Sequence, residues 1–115
     1  MAKYDISEKK VYPQTEEKVS QAIQGAITGL EGKIIEGDPT EKKIKAYFPK
    51  TILGNTLGDR THIEIEWASA DEGTQINILA YPVDAVQRKM AFGARKGVTR
   101  KVATWFWAHV EHRLK

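Results

Sequence analysis

Apolar and polar positions along this chain repeat with two different periods, and the switches between them lay out its elements. Residues 9–13, Lys-Lys-Val-Tyr-Pro, read as a short strand stopped by Pro13, which cannot donate to a ladder. Val19, Ala22, Ile23, Ala26, Ile27 and Leu30 then recur at helical spacing and form one apolar face. Thr15 is the expected N-cap of that helix, with Glu16 and Glu17 where the dipole favours acids, and Gly32 is the expected stop. Gly25 and Gly29 inside it each cost about 1 kcal/mol against alanine, unless they admit another backbone closely.

The period then changes to two. Residues 33–38 give a second strand, and Asp38-Pro39-Thr40-Glu41 a turn. In 42–49, Ile44, Ala46 and Phe48 alternate with Lys43, Lys45 and Tyr47. In Arg60–Ala68, Thr61, Ile63, Ile65 and Trp67 share one face, with His62, Glu64 and Glu66 on the other. Ser69–Gly73 turns the chain into Thr74–Tyr81, with Ile76, Ile78 and Ala80 inward and Pro82 ending the strand. The spacing of Asp84-Ala85-Val86-Gln87 fits a capping box and predicts a short helix to Phe92, closed by Gly93. A last helix runs from about residue 98 to the C-terminus, with Val98, Val102, Trp105, Phe106, Val110 and Leu114 on one wide face.

The order is β-α-β-β-β-β-α in a single α+β domain. Short turns make the central strands an antiparallel meander, and two one-faced helices belong on the same side of the sheet. This order of elements, over the whole chain, resembles the fold shared by TATA-binding-protein repeats and the helix-grip lipid-binding proteins. No residue motif of either family accompanies it. The chain also resembles small uncharacterised bacterial proteins, which implies no function.

Composition narrows the chemistry. At 115 residues, 41% hydrophobic and 29% charged, the chain can bury one core. The absence of cysteine excludes disulfides, thiolate metal sites and cysteine nucleophiles. No N-terminal apolar run resembles a signal peptide, and no stretch has the roughly 18 apolar residues of a membrane span, so a cytoplasmic protein is expected. The net charge of +3 hides an asymmetry. Residues 1–84 carry 10 Lys/Arg and 14 Asp/Glu, whereas residues 85–115 carry 8 Lys/Arg and one acid, Glu111. Such polarity points to an anionic partner, nucleic acid or another phosphate-bearing ligand.

The stretch FGARKGVTRKVATWFW, residues 92–107, concentrates that charge. Arg88, Lys89, Arg95, Lys96, Arg100 and Lys101 are the anion-binding candidates. Cations in the first turn of the last helix oppose its dipole by about 0.3–1 kcal/mol each, and a bound anion would reverse that sign. The bland alternative is a solvated basic face. The stretch is no P-loop, because the Gly-Lys-Ser/Thr ending is absent. Trp67 and Trp105 are expected in the core. Trp107, projected toward the far edge of the stripe, is either edge packing or a stacking and interface residue.

Other constellations are thinner. His109 and His112 share a helix side, but two ligands make no zinc site, and no metal or cofactor is expected. Glu64 and Glu66 read as outward strand charges rather than an acid–base pair, and no assembled set of catalytic roles appears, so the expectation is not an enzyme. Ile52, Leu53 and Leu57 lie in the glycine-rich loop 50–59, either plugging the core or forming a lid over a helix–sheet cavity. Three functions follow: a non-catalytic binding domain for an anionic partner, a small-molecule or lipid carrier, or an interaction protein that forms a homodimer through the edge strand at 9–13.

Overall fold

The computed structural model describes residues 5–90 and 97–115. Its elements are β1 (Ile6–Tyr12), α1 (Glu16–Gly29), β2 (Lys33–Asp38), β3 (Lys43–Phe48), β4 (Thr51–Ile52), β5 (Asn55–Thr56), β6 (Arg60–Ala70), β7 (Gly73–Val83) and α2 (Val98–Leu114). Five strands form an antiparallel sheet in the order β1-β7-β6-β3-β2. The expected α+β architecture and element order are therefore present. Loop 50–59 adds a two-residue hairpin, β4 against β5, outside the main sheet.

Alternation explains the sheet's single dry face. Ile44 pairs with Ile65 and Ile65 with Ile78, while Ala46 pairs with Ile63 and Ile63 with Ala80. Every one of these side chains is buried in one contiguous cluster with the apolar faces of α1 and α2. Each fully buried isoleucine contributes about 1.5–3 kcal/mol, so these rows fix the register.

Local chemistry sets the ends of α1. The Thr15 hydroxyl accepts the Lys18 N–H at 3.3 Å, and Glu16 and Glu17 occupy the first turn. At the other end the left-handed residue is Glu31, at φ 63°, rather than the glycine after it. Gly32 is required for a different reason. A Cβ there would stand 2.7 Å from a ring carbon of Phe48 and 3.0 Å from the Tyr47 carbonyl oxygen.

Three local expectations change. β7 runs through Pro82 to Val83, with Pro82 opposite Thr61 of β6. Residues 84–90 form a turn rather than a helix. The Asp84 carboxylate accepts the N–H groups of Val86 and Arg88, and the chain doubles back so that Met90 N–H reaches the Pro82 carbonyl. Phe92 and Gly93 lie outside the described residues.

The third change concerns α2. Its buried side is Val98, Thr99, Val102, Ala103, Phe106, Trp107 and Val110, with Trp105 only partly buried. The helix is rotated toward β1 relative to the expected stripe, which brings Trp107 in and moves Trp105 to the margin.

Candidate functional site

α2 begins at Gly97, whose φ of 86° is left-handed and which supplies no side-chain cap. The first intrahelical bond runs from Lys101 N–H to the Gly97 carbonyl. The N–H groups of Val98, Thr99 and Arg100 precede that bond and have no intrahelical acceptor. No acid occupies the first turn. Gly97, Val98 and Lys101 line an open concavity of about 220 Å³ with Thr56 and Leu57 of the β4–β5 region.

Register places one more group at this end. Arg100 meets Glu8 of β1, while Glu111 meets Tyr12, so α2 runs parallel to β1 and starts at the Ala80 end of β7. Thr61, opposite Pro82, faces the helices at that same end. It is fully buried, and its hydroxyl has no hydrogen-bond partner among the described residues.

The six basic candidates fare differently. Arg95 and Lys96 lie outside the described residues. Arg88 pairs with Asp84 at 3.4 Å, Lys89 with Asp5 at 2.5 Å and Arg100 with Glu8 at 2.9 Å. Lys101 is exposed and has no acidic partner among the described residues. Much of the charge asymmetry along the chain is thus met internally. Acids of the first residues and of the β7 end neutralise cations of the last third.

Trp107 is 4% exposed. Its indole N–H donates to Glu8 Oε1 at 3.0 Å, Lys10 Nζ lies 4.9 Å from its ring centroid, and Tyr12 and Phe106 flank it. β1 covers the ring, so of the two readings of Trp107, packing at the edge of the core is the one its burial matches. Burial works against ionisation of Glu8. The hydrogen bonds from Arg100 and Trp107 outweigh it and hold the carboxyl below its ordinary range.

Loop 50–59 splits. Ile52 and Leu57 are buried in the core cluster, while Leu53 is 54% exposed. Ile52 and Leu57 pack between helices and sheet in the same cluster as Phe48, Trp67 and Phe106. His109 lies against Gly29 and Arg113, and burial and the Arg113 charge lower its pKa. β1 does lie at the sheet edge, as expected of it, and β2 forms the other edge.

Residues on the sheet's outer face escaped the sequence reading. His62, Glu64 and Tyr81 occupy outward positions, yet His62 is 5% exposed and hydrogen-bonded to Gln87 at 3.1 Å. The available signal was the alternation itself, which puts Tyr47 and Tyr81 on the same face as His62.

No protein-family model matches the chain, and no curated protein matches its sequence. Solved structures do match its shape. Protein MLL2253 from Mesorhizobium loti is 13% identical with a TM-score of 0.60, over 96% of both chains. Ara h 8.0201 is 13% identical with a TM-score of 0.56, over 96% of this chain and 97% of that one. SA2116 from Staphylococcus aureus, a protein of unknown function, is 14% identical with a TM-score of 0.53, over 96% and 92%. Identity this low shows fold alone. Of the two groups whose shared fold the element order resembles, these neighbours support the helix-grip one: the chain has a helix-grip-like fold.

Proposed function

We propose that the chain is a non-catalytic binding domain that holds a small phosphate-bearing ligand where α2 begins. The uncapped start of α2 carries this reading: free backbone N–H groups, cations in place of acids in the first turn, and an open concavity beside them. Lys101, which has no acidic partner among the described residues, opposes the helix dipole by about 0.3–1 kcal/mol when the site is empty, and a bound anion turns that cost into a gain. Arg95 and Lys96 immediately precede this turn in sequence.

A small ligand fits better than a nucleic acid. A polyanion draws on several free cations spread over a surface. Here Arg88, Lys89 and Arg100 are already paired with acids.

Titration of the isotopically labelled protein with inorganic phosphate tests the proposal. The amides of Val98, Thr99 and Lys101 should shift saturably at millimolar phosphate. The response should weaken with added salt and be lost in a variant combining Arg95→Ala, Lys96→Ala and Lys101→Ala. Unmoved amides, or an unchanged response in the variant, would overturn it. Tight, salt-sensitive binding of a single-stranded RNA with no response to phosphate would replace the small ligand with a nucleic acid.

A further inference from the structure

The outer face of the sheet carries a second, separate constellation. Outward positions on a sheet packed on one side are ordinarily solvated. His62 is not. Its cross-strand neighbours Tyr47 and Tyr81 meet it edge-on, with ring centroids 6.0 and 5.8 Å away. Gln87, from the turn after β7, places Oε1 3.1 Å from His62 Nε2.

Gln87 holds φ at 65°, a left-handed backbone that is strained for a non-glycine residue. The surrounding turn fixes it there. Gln87 N–H donates to the Asp84 carbonyl at 2.8 Å, and the Asp84 carboxylate takes the N–H groups on either side, of Val86 at 3.0 Å and Arg88 at 2.9 Å. Strain held in this way by several bonds is characteristic of ligand clamps. Its effect here is to fold the turn over the sheet and set an amide on a buried imidazole.

The adjoining row supplies charge. Glu36 pairs across the strands with Lys45, and Lys45 with Glu64. Lys45 Nζ is 3.2 Å from Glu36, and the Tyr81 hydroxyl donates to Glu64 Oε2 at 2.6 Å. Burial and the Glu64 carboxylate both raise the Tyr81 pKa, so the phenol remains a donor at all ordinary pH. Lys89 Nζ sits 4.9 Å from the Tyr81 ring centroid. Together these groups and Ile35 line an open concavity of about 390 Å³.

Its charge is balanced. Glu64 lies between Lys45 on the β3 side and Lys89 on the β7 side, with Glu36 beyond Lys45; Lys89 is held by the buried Asp5, whereas the partner of Lys45, Glu36, is solvent-exposed. A purely anionic ligand would meet two carboxylates there, and a purely cationic one two ammonium groups. A ligand carrying both charges satisfies both. We infer that this concavity binds a small zwitterion of the α-amino-acid type, its ammonium on Glu64, its carboxylate on Lys45 and an apolar side chain against Ile35. The site shares no residue with the start of α2 and stands independently of it.

Amide-shift titration with L-phenylalanine tests this, alongside N-acetyl-L-phenylalanine, which lacks the ammonium, and L-phenylalanine amide, which lacks the carboxylate. Saturable shifts at Lys45, Glu64 and Gln87 are expected with the amino acid. Each analogue should bind at least about tenfold more weakly, the scale of one lost charge-assisted hydrogen bond. Glu64→Gln should weaken binding similarly, and Lys45→Gln tests the opposite charge without touching the Tyr81 hydrogen bond. Absence of shifts at these three amides overturns the inference. So does equal binding of the analogues, or binding that neither substitution changes.

Discussion

Trp107 and Glu8 join the last helix to the first strand through a 3.0 Å hydrogen bond from indole nitrogen to carboxylate. The other carboxylate oxygen takes Arg100 at 2.9 Å. A second pair repeats the pattern one end over, where Tyr12 and Lys10 both donate to Glu111. β1 thus presents polar groups on its helix-facing side, and α2 supplies their partners. Glu8→Ala would leave the buried indole N–H without an acceptor, at an expected cost of about 1–3 kcal/mol. Chemical denaturation at neutral pH, read through tryptophan emission, checks this. A change within error would mean that water replaces Glu8 freely.

The same carboxylates give the fold an acid limb. Glu8 and Glu111 are each held below their ordinary value of 4.5 in the folded state. For Glu8 the Arg100 and Trp107 hydrogen bonds overcome burial, and for Glu111 the Tyr12 hydrogen bond leads. A carboxyl whose pKa falls on folding adds stability that is fully present above its unfolded value and is lost as pH drops through its folded one. Unfolding free energy should therefore decline below about pH 4.5. Glu8→Gln and Glu111→Gln should each flatten that decline while lowering stability at neutral pH. A decline of unchanged steepness in both variants would place the acid sensitivity elsewhere.

Close approach of the helices explains the two glycines inside α1. A Cβ on Gly25 would overlap Arg113 Nε and stand 2.7 Å from its Cδ, and one on Gly29 would stand 2.9 Å from Arg113 Nη2. The Arg113 side chain lies across the glycine face, so two forces oppose each other in Gly25→Ala. Helix propensity favours alanine by about 1 kcal/mol, and displacement of Arg113 offsets it. In wild type the substitution should be near neutral or destabilising. In an Arg113→Ala background the full gain should emerge. Equal effects in both backgrounds would show that the two residues are uncoupled.

The sheet was legible in the sequence because inward positions alternate within each central strand, from Ile44 to Phe48, Thr61 to Trp67 and Ile76 to Ala80. What escaped was set by contacts between distant segments. Asp84 has the spacing of a helix cap, and in the structure it does cap N–H groups, but those of a turn. Three residues of spacing cannot distinguish the two, because the direction of the chain after Asp84 decides. Trp107 looked marginal on its own helix and is buried because β1, nearly a hundred residues earlier, offers Glu8. The basic stretch looked unopposed along the chain, whereas Asp5 and Glu8 neutralise Lys89 and Arg100 across it. His62 sits on an outward position and is covered because Tyr47 and Tyr81 flank it and the turn at Gln87 folds back.

Adjacent residues of loop 50–59 should respond in opposite directions. Ile52 is fully buried, and Ile52→Ala should cost about 2–5 kcal/mol. Leu53 is exposed with φ at 51°, and its N–H is held by the Glu31 carboxylate at 2.6 Å. Asparagine tolerates that backbone better, so Leu53→Asn should stabilise by about 0.5–1 kcal/mol. Thermal unfolding of the two variants decides. A lid would show little stability cost at Ile52, and that result would restore the cavity reading.

Thr61 isolates the cost of a buried hydroxyl. It is fully buried on the helix side of β6, and its hydroxyl has no hydrogen-bond partner among the described residues. Valine has the same shape and no hydroxyl. Thr61→Val should therefore raise stability by about 1–3 kcal/mol, the desolvation penalty of an unpaired polar atom. Denaturant unfolding of the variant checks this. Lower stability would mean that the hydroxyl already has a partner in the folded protein, and the argument from an unsatisfied group would fall.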